Sequence, residues 1–235
     1  ITPQDSRNRY KNEIEFLEYM EKCNVKNVPK IIENDDKERK LCLEYIEGDK
    51  IKYINNEIID DITTFIKLAN KPGLIKERMK LGDASEAINT LEDLHDNLAK
   101  RLDQLEKISS QNKIVSSTIH WLKKEVSNEI RRRIEKSKAS NEIQEFNLSE
   151  AQKIASPSDV GIHNTIRSKS GVLYFIDFEY SGKDDLAKFA CDWIIQPEKP
   201  FSASQESTMI NQLLKKMDHV DKSWINRYEI IKPLL

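Results

Sequence analysis

For most of the hundred residues that follow Lys50, apolar side chains recur at helical spacing, and this long periodic block constrains the fold more than any other feature. It predicts helices over Glu57 to Leu68, Asp83 to Ile108 and Lys113 to Lys138, and so a mainly helical lobe. The chain before it reads differently. Ile14, Phe16, Leu17 and Met20 recur at helical spacing among charges, which predicts an amphipathic helix from Asp5 to Cys23. Two short extended segments follow, Val28 to Ile32, where Pro29 disfavours helix, and Leu41 to Ile46, an apolar run closed by the turn signal Glu47-Gly48-Asp49. After the block the texture changes again between Ser156 and Tyr180. A loop rich in Ser, Asp and Gly leads into Thr165 to Arg167 and Val172 to Phe178, strands joined by a hairpin turn at Ser168-Lys169-Ser170-Gly171. Helical spacing resumes over Asp184 to Ile195 and Ala203 to Met217. No internal repeat or low-complexity tract interrupts the order.

With 235 residues and 38% hydrophobic content, the chain has enough material for one large domain or two small lobes. Charge excludes some functions: 38 Lys and Arg against 40 Asp and Glu leave a formal net charge of -2, which gives no electrostatic footprint for nucleic acid or an anionic membrane. Cys23, Cys42 and Cys191 show no CxxC spacing, so neither a zinc site nor a disulfide framework is expected, and each reads as a small buried apolar residue in a reducing cytosol. No apolar run approaches the ~20 residues that cross a bilayer, and the start has no signal-peptide pattern, so a cytoplasmic protein is expected. Ile1 is not a methionine, and the run from Trp224 to Leu235 stops without a cap, so the chain reads as part of a longer polypeptide.

The chemistry concentrates in Ser156-Pro157-Ser158-Asp159-Val160-Gly161-Ile162-His163-Asn164 and, after the hairpin, Phe175-Ile176-Asp177-Phe178. Phosphoryl transfer from a nucleotide requires a carboxylate to orient the acceptor hydroxyl and hard oxygen ligands to hold magnesium against the phosphates. Asp159, Asn164 and Asp177 can supply all of these. A loop of five residues can aim Asp159 at the acceptor while Asn164 turns toward the metal, and the hairpin returns Asp177 beside them. Taken one at a time, the same residues are also ordinary turn chemistry.

In that order and setting they resemble the aminoglycoside phosphotransferase and choline kinase group, which shares the protein-kinase-like fold. Its catalytic loop reads approximately His-Gly-Asp-x-x-x-x-Asn and is followed by an apolar strand running into Ile-Asp, matched here by Asp159 to Asn164 and Ile176-Asp177. The resemblance implies an α+β, two-lobed protein-kinase-like fold, with a partial N-lobe over residues 1–47 and a helical C-lobe over 48–235. It implies Asp159 as base or orienter, and Asn164 and Asp177 as ligands of Mg2+. ATP or GTP is the implied phosphoryl donor, and a hydroxyl of a small molecule (sugar, aminoglycoside or amino alcohol) the acceptor. Upstream, Glu13 in Glu13-Ile14-Glu15-Phe16-Leu17 looks like the family's partner for a nucleotide-binding lysine, with Glu15 as the alternative. Leu41-Cys42-Leu43-Glu44-Tyr45-Ile46 looks like the strand and hinge where the Glu44 carbonyl and the Ile46 amide would meet the purine. His95, in Leu91-Glu92-Asp93-Leu94-His95, reads as structural, and Asp185 reads as a helix cap that braces the loop.

The chain also departs from the pattern. Pro157-Ser158 replaces the family His and Gly before Asp159, and Gly161 stands where a His or Lys is often found two residues after it. His163 reads as a packing residue of the loop. Residues 1–12 cannot hold the phosphate-covering loop and the lysine-bearing strand, so a nucleotide-binding pseudokinase acting as a scaffold or sensor is the alternative to a small-molecule kinase. Arg131-Arg132-Arg133 reads as a solvated helix face, and Trp121, Trp193 and Trp224 as packing residues, which disfavours a choline cage.

Overall fold

The computed structural model describes residues 8–138 and 146–234. The first helix, α1, runs over Arg9–Lys22 and buries Tyr10, Phe16, Leu17, Tyr19 and Met20 along one face; residues 5–7 of the expected helix lie outside the described residues. The first hairpin pairs β1 (Ile31–Asp35) with β2 (Lys40–Leu43) antiparallel. The strand expected from Val28 thus starts three residues later, because Pro29 has no N–H to give a ladder.

The periodic block folds as read, with corrections at its boundaries. Helix α2 spans Asn56–Ala69 and is capped by the Asn55 side chain, which accepts from the Ile58 N–H. A short helix, α3 (Ile75–Arg78), follows. Helix α4 spans Leu91–Lys107, not Asp83 to Ile108, because Thr90 and Asp93 form a capping box that fixes the start. Ahead of it, residues 83–90 run as irregular backbone tied to the C-terminal half: the Ala84 N–H donates to the Lys183 carbonyl and the Ile88 N–H to the Asp184 carboxylate. Helices α5 (Lys113–Trp121) and α6 (Ser127–Lys138) are joined by a wider π-type turn over Leu122–Val126. Trp121 is 55% exposed, which corrects its reading as a packing residue; Trp193 and Trp224 are buried as expected. Cys42 is likewise exposed, whereas Cys23 and Cys191 are buried. Arg132 and Arg133 clamp Glu129 on the outer face of α6.

Three small sheets position the loop region. Strand β3 (Gly48–Asp49) pairs with β5 (Thr165–Ser168), which pairs in turn with β6 (Leu173–Phe175), while β4 (Ile154–Ser156) pairs with β7 (Gly182–Asp184). The β5–β6 turn is the predicted hairpin: the Gly171 N–H donates to the Ser168 carbonyl, and Gly171 takes the left-handed φ of 84° that the reversal requires. Helices α7 (Leu186–Ile194), α8 (Ala203–Lys216) and α9 (Trp224–Ile231) complete the fold. One core unites these parts. Phe65 stacks on Phe175 with ring centroids 4.1 Å apart, Trp193 meets Phe175 edge-on, and Phe16 of α1 packs on Phe178 at 5.1 Å.

Candidate active site

Strand β4 delivers the chain into the loop. Asn70, fully buried at the end of α2, holds β4 with two bonds, donating from Nδ2 to the Ala155 carbonyl (3.0 Å) and accepting its N–H (2.7 Å). Sequence reasoning passed over Asn70, because an Asn after a helix also reads as an ordinary stop signal. Beyond β4, Ser158 adopts a left-handed φ of 66°, an uncommon state for a side chain with a Cβ, and turns Asp159 outward to solvent.

Asn164 lies nine-tenths buried at the end of a 3-10 turn, Ile162–Asn164. Its Nδ2 donates to the Asp159 carbonyl (3.0 Å), and its own carbonyl accepts the Ile176 N–H (3.0 Å). The amide nitrogen being committed in this way, Oδ1 is the atom left to face a cation. Gln196, also buried, braces the turn by accepting the Ile162 N–H at 2.9 Å.

Asp177 sits two residues beyond β6 rather than at a strand end, with a left-handed φ of 67° that swings its side chain out of the hairpin. Its carboxyl is held above the usual carboxylate range by partial desolvation first, then by the negative charges of Glu179 and Asp159. Glu13 of α1 belongs to the same group: desolvation, with the charge of Asp177 next, pushes its carboxyl up to about 7, while a hydrogen bond from the Phe178 N–H pulls the other way. Asp159, Asp177, Glu179 and Glu13 thus form a field of like charge. Arg9 offsets its edge, pairing with Glu179 at 2.9 Å and lying over the Tyr180 ring.

Other expected residues fall elsewhere. Neither the Glu44 carbonyl nor the Ile46 amide has a hydrogen-bond partner among the described residues, so that edge is open, and no hydrogen bond or ion pair joins it to Asp159, Asn164 or Asp177. The loop after α1 is tied to the hairpin: Asn27 donates from Nδ2 to the Leu173 carbonyl and accepts the Phe175 N–H, both at 3.0 Å. Asp185 caps α7 as expected, accepting the Ala187 N–H at 3.0 Å, and pairs with buried Arg227 of α9. His95 is buried on α4. His163 departs from its reading: it is 41% exposed, with Nε2 3.4 Å from Asp159 Oδ1.

A cavity of about 440 Å3 opens beside this group. Asp159, Val160 and His163 form one wall and Leu94, Leu98 and Ile195 give it apolar lining. Among the described residues that line it, Tyr180 is the one Phe, Tyr or Trp. Among the described residues no three His, Cys, Asp or Glu side chains are grouped to hold a metal, and no helix is long and apolar enough to cross a membrane.

No family model matches the sequence, and no curated protein does. Solved structures do match by shape. The AMP-bound complex of a spectinomycin phosphotransferase aligns with a TM-score of 0.64 at 11% identity, over 98% of this chain and 74% of that one. The choline kinase LicA from Streptococcus pneumoniae aligns at 0.60 with 16% identity, over 98% and 70%. The choline kinase from Cryptosporidium parvum aligns at 0.58 with 15% identity, over 100% and 70%. At such identities the likeness establishes the fold, which is the two-lobed α+β fold of the protein-kinase-like phosphotransferases.

Proposed function

We propose that a chain with this fold transfers the γ-phosphoryl group of ATP or GTP to a hydroxyl of a small molecule. The observation that carries the reading is the constellation around the loop: Asp159 turned outward beside a cavity, Asn164 locked by its own amide nitrogen with Oδ1 to spare, and Asp177 swung out by a left-handed turn. The spectinomycin phosphotransferase and choline kinases of like shape support the general kind of reaction. In this reading the lobes meet near residue 47, and the open Glu44 carbonyl and Ile46 amide receive the purine.

Magnesium fits the residues present. Mg2+ takes few protein ligands and completes its shell with phosphate oxygens and water, so one amide oxygen and one carboxylate suffice. The negative charges of Glu179 and Asp159 beside Asp177, which help hold its carboxyl above the usual carboxylate range, would favour a cation at this place. When bound, the ion would shield the phosphate charge; Asn164 and Asp177 would hold it. The acceptor hydroxyl oxygen bonds the γ-phosphorus as the bond from that phosphorus to its bridging oxygen breaks, the acceptor proton passes to the Asp159 carboxylate, and the nucleoside diphosphate leaves. Glu13 would face the nucleotide-binding lysine in this reading, and a cation beside it would bring its raised carboxyl back down. The acceptor is taken to be a sugar, an aminoglycoside or an amino alcohol, seated in the cavity.

The test is calorimetry on the full-length protein with ATP and GTP, with and without magnesium, joined to an acceptor screen. Asp177→Ala should lose magnesium-dependent binding, whereas Asp159→Asn should bind nucleotide normally and lose turnover. Turnover of Asp159→Asn at the wild-type rate would sink the assignment, and binding by wild type without turnover would favour a nucleotide-binding pseudokinase.

A further inference from the structure

The cavity beside Asp159 is lined from two helices. Leu94, Asn97, Leu98 and Arg101 lie along one face of α4, and Lys188 and Asp192 stand one turn apart on α7. The charges of these walls cancel in pairs. Arg101 is joined to Glu86, which lines the same cavity. Lys188, only 6% exposed, is held by Asp192 at 2.5 Å and by Asp184 at 3.5 Å. Desolvation pulls the Lys188 pKa down, but the charges of Asp192 and Asp184 outweigh it and keep the group a cation inside the wall. Among the described lining residues, the one carboxylate without a Lys or Arg partner is Asp159, at the end of the cavity where transfer would take place.

What the walls leave open is neutral. Asn97 is half-buried, and its side-chain amide has no hydrogen-bond partner among the described residues. An amide offers two N–H donors and a carbonyl acceptor, a set that matches a hydroxyl, which both donates and accepts. Leu94 and Leu98, beside it on α4, give apolar surface for the C–H faces of such a ligand. Gln196 is already committed to the loop, accepting the Ile162 N–H and donating to the Trp193 carbonyl. A charged ligand meets different conditions. Binding an ammonium through Asp192, or a carboxylate through Lys188, parts a buried ion pair and leaves one member uncompensated, which is strongly unfavourable. The Arg101–Glu86 pair is more exposed, and its field is screened by water.

We propose that the acceptor is an uncharged polyhydroxyl compound of the sugar class, selected by hydrogen bonds from Asn97 to its hydroxyl groups while the paired charges of the wall give an ionic acceptor no counter-charge. The proposal rests on the phosphotransfer reading given above and narrows its acceptor, since aminoglycosides and amino alcohols are cations near neutral pH. The step is unchanged: one hydroxyl oxygen bonds the γ-phosphorus, its proton passes to Asp159, and the nucleoside diphosphate leaves.

Calorimetry tests this on the full-length protein, alone and with Mg·ADP. The probes are ribose, glucose, myo-inositol and glycerol as neutral polyols, kanamycin and choline as cations, and glucuronate as an anion. At least one neutral polyol should bind more tightly than every charged probe. Asn97→Leu should weaken that polyol by about ten-fold or more, and Asn97→Asp, which places an unpaired carboxylate in the wall, should tighten kanamycin by about ten-fold. Urea unfolding checks that both variants fold; should either fail to, the ranking on wild type decides. Tightest wild-type binding by kanamycin, choline or glucuronate overturns the proposal, as does no binding by any neutral probe or a folded Asn97→Leu with wild-type affinity. Failure of the phosphotransfer reading shows separately. A polyol that binds as expected, yet draws no ADP from Mg·ATP above the rate with water, ends that reading and leaves the ligand class of the cavity in place.

Discussion

Glu13 carries a testable cost of its position. Its folded carboxyl titrates near about 7 against an ordinary value of 4.5, through desolvation first and the charge of Asp177 second. Between those values the folded chain holds a proton that the unfolded chain has released, so stability falls as pH rises through the window and the loss is complete above it. Glu13→Gln should flatten that slope and raise stability at pH 8 by about 1–3 kcal/mol, read from urea unfolding at a series of pH values. An unchanged slope would mean that a cation already neutralises Glu13. At this scale the resemblance pointed to Glu13, Asp159, Asn164 and Asp177 by spacing. It could not give the left-handed turns at Ser158 and Asp177, since nothing in Ser or Asp demands that conformation. His163 was misread because a histidine in a loop has the same letter whether it packs or presents itself.

Among the elements, α7 and α9 show how the loop region is anchored. Asp185 caps α7 and is itself fully buried against the Arg227 guanidinium, with contacts of 2.6 and 3.0 Å. Arg227→Met should destabilise the protein by about 3–5 kcal/mol, measured by urea unfolding, because it strands a buried carboxylate without its partner. A loss under about 1 kcal/mol would mean that water reaches Asp185. The cap was legible from Asp184-Asp185 ahead of an apolar run; Arg227, 42 residues away, was not. The start of α4 was legible and missed, for Thr90 and Asp93 carry a capping-box signature. Periodicity misled there because Ala84 and Ile88 are buried from irregular backbone, which pattern alone does not separate from helix.

For the whole molecule, the decisive contact is Phe16 on Phe178, which joins the helix bearing Glu13 to the segment bearing Asp177. Asn27, in the loop after α1, adds a link to the backbone of β6, the strand that leads to Asp177. Phe16→Ala should cost about 3–5 kcal/mol and weaken magnesium-dependent nucleotide binding, because α1 and Asp177 then lose their common reference. Leu213→Ala, fully buried on α8, should cost about 2–5 kcal/mol and leave binding intact at temperatures where both variants are folded. Equal binding losses in the two, by calorimetry, would show that stability alone and not the α1 contact governs the site.

The sequence by itself determined the helices of the periodic block, the hairpin with its Gly171 turn, and the order Asp, Asn, Asp, because these depend on residues near one another along the chain. Only the tertiary structure decided the partners of β3, β4 and β7, strands of two or three residues whose ladders join segments far apart in sequence. It likewise decided that Asn70 clamps β4 and that His163 fills the space above Gly161. Strands that short gain too little from their own residues to announce themselves, and their stability comes from burial against helices whose positions no local pattern records.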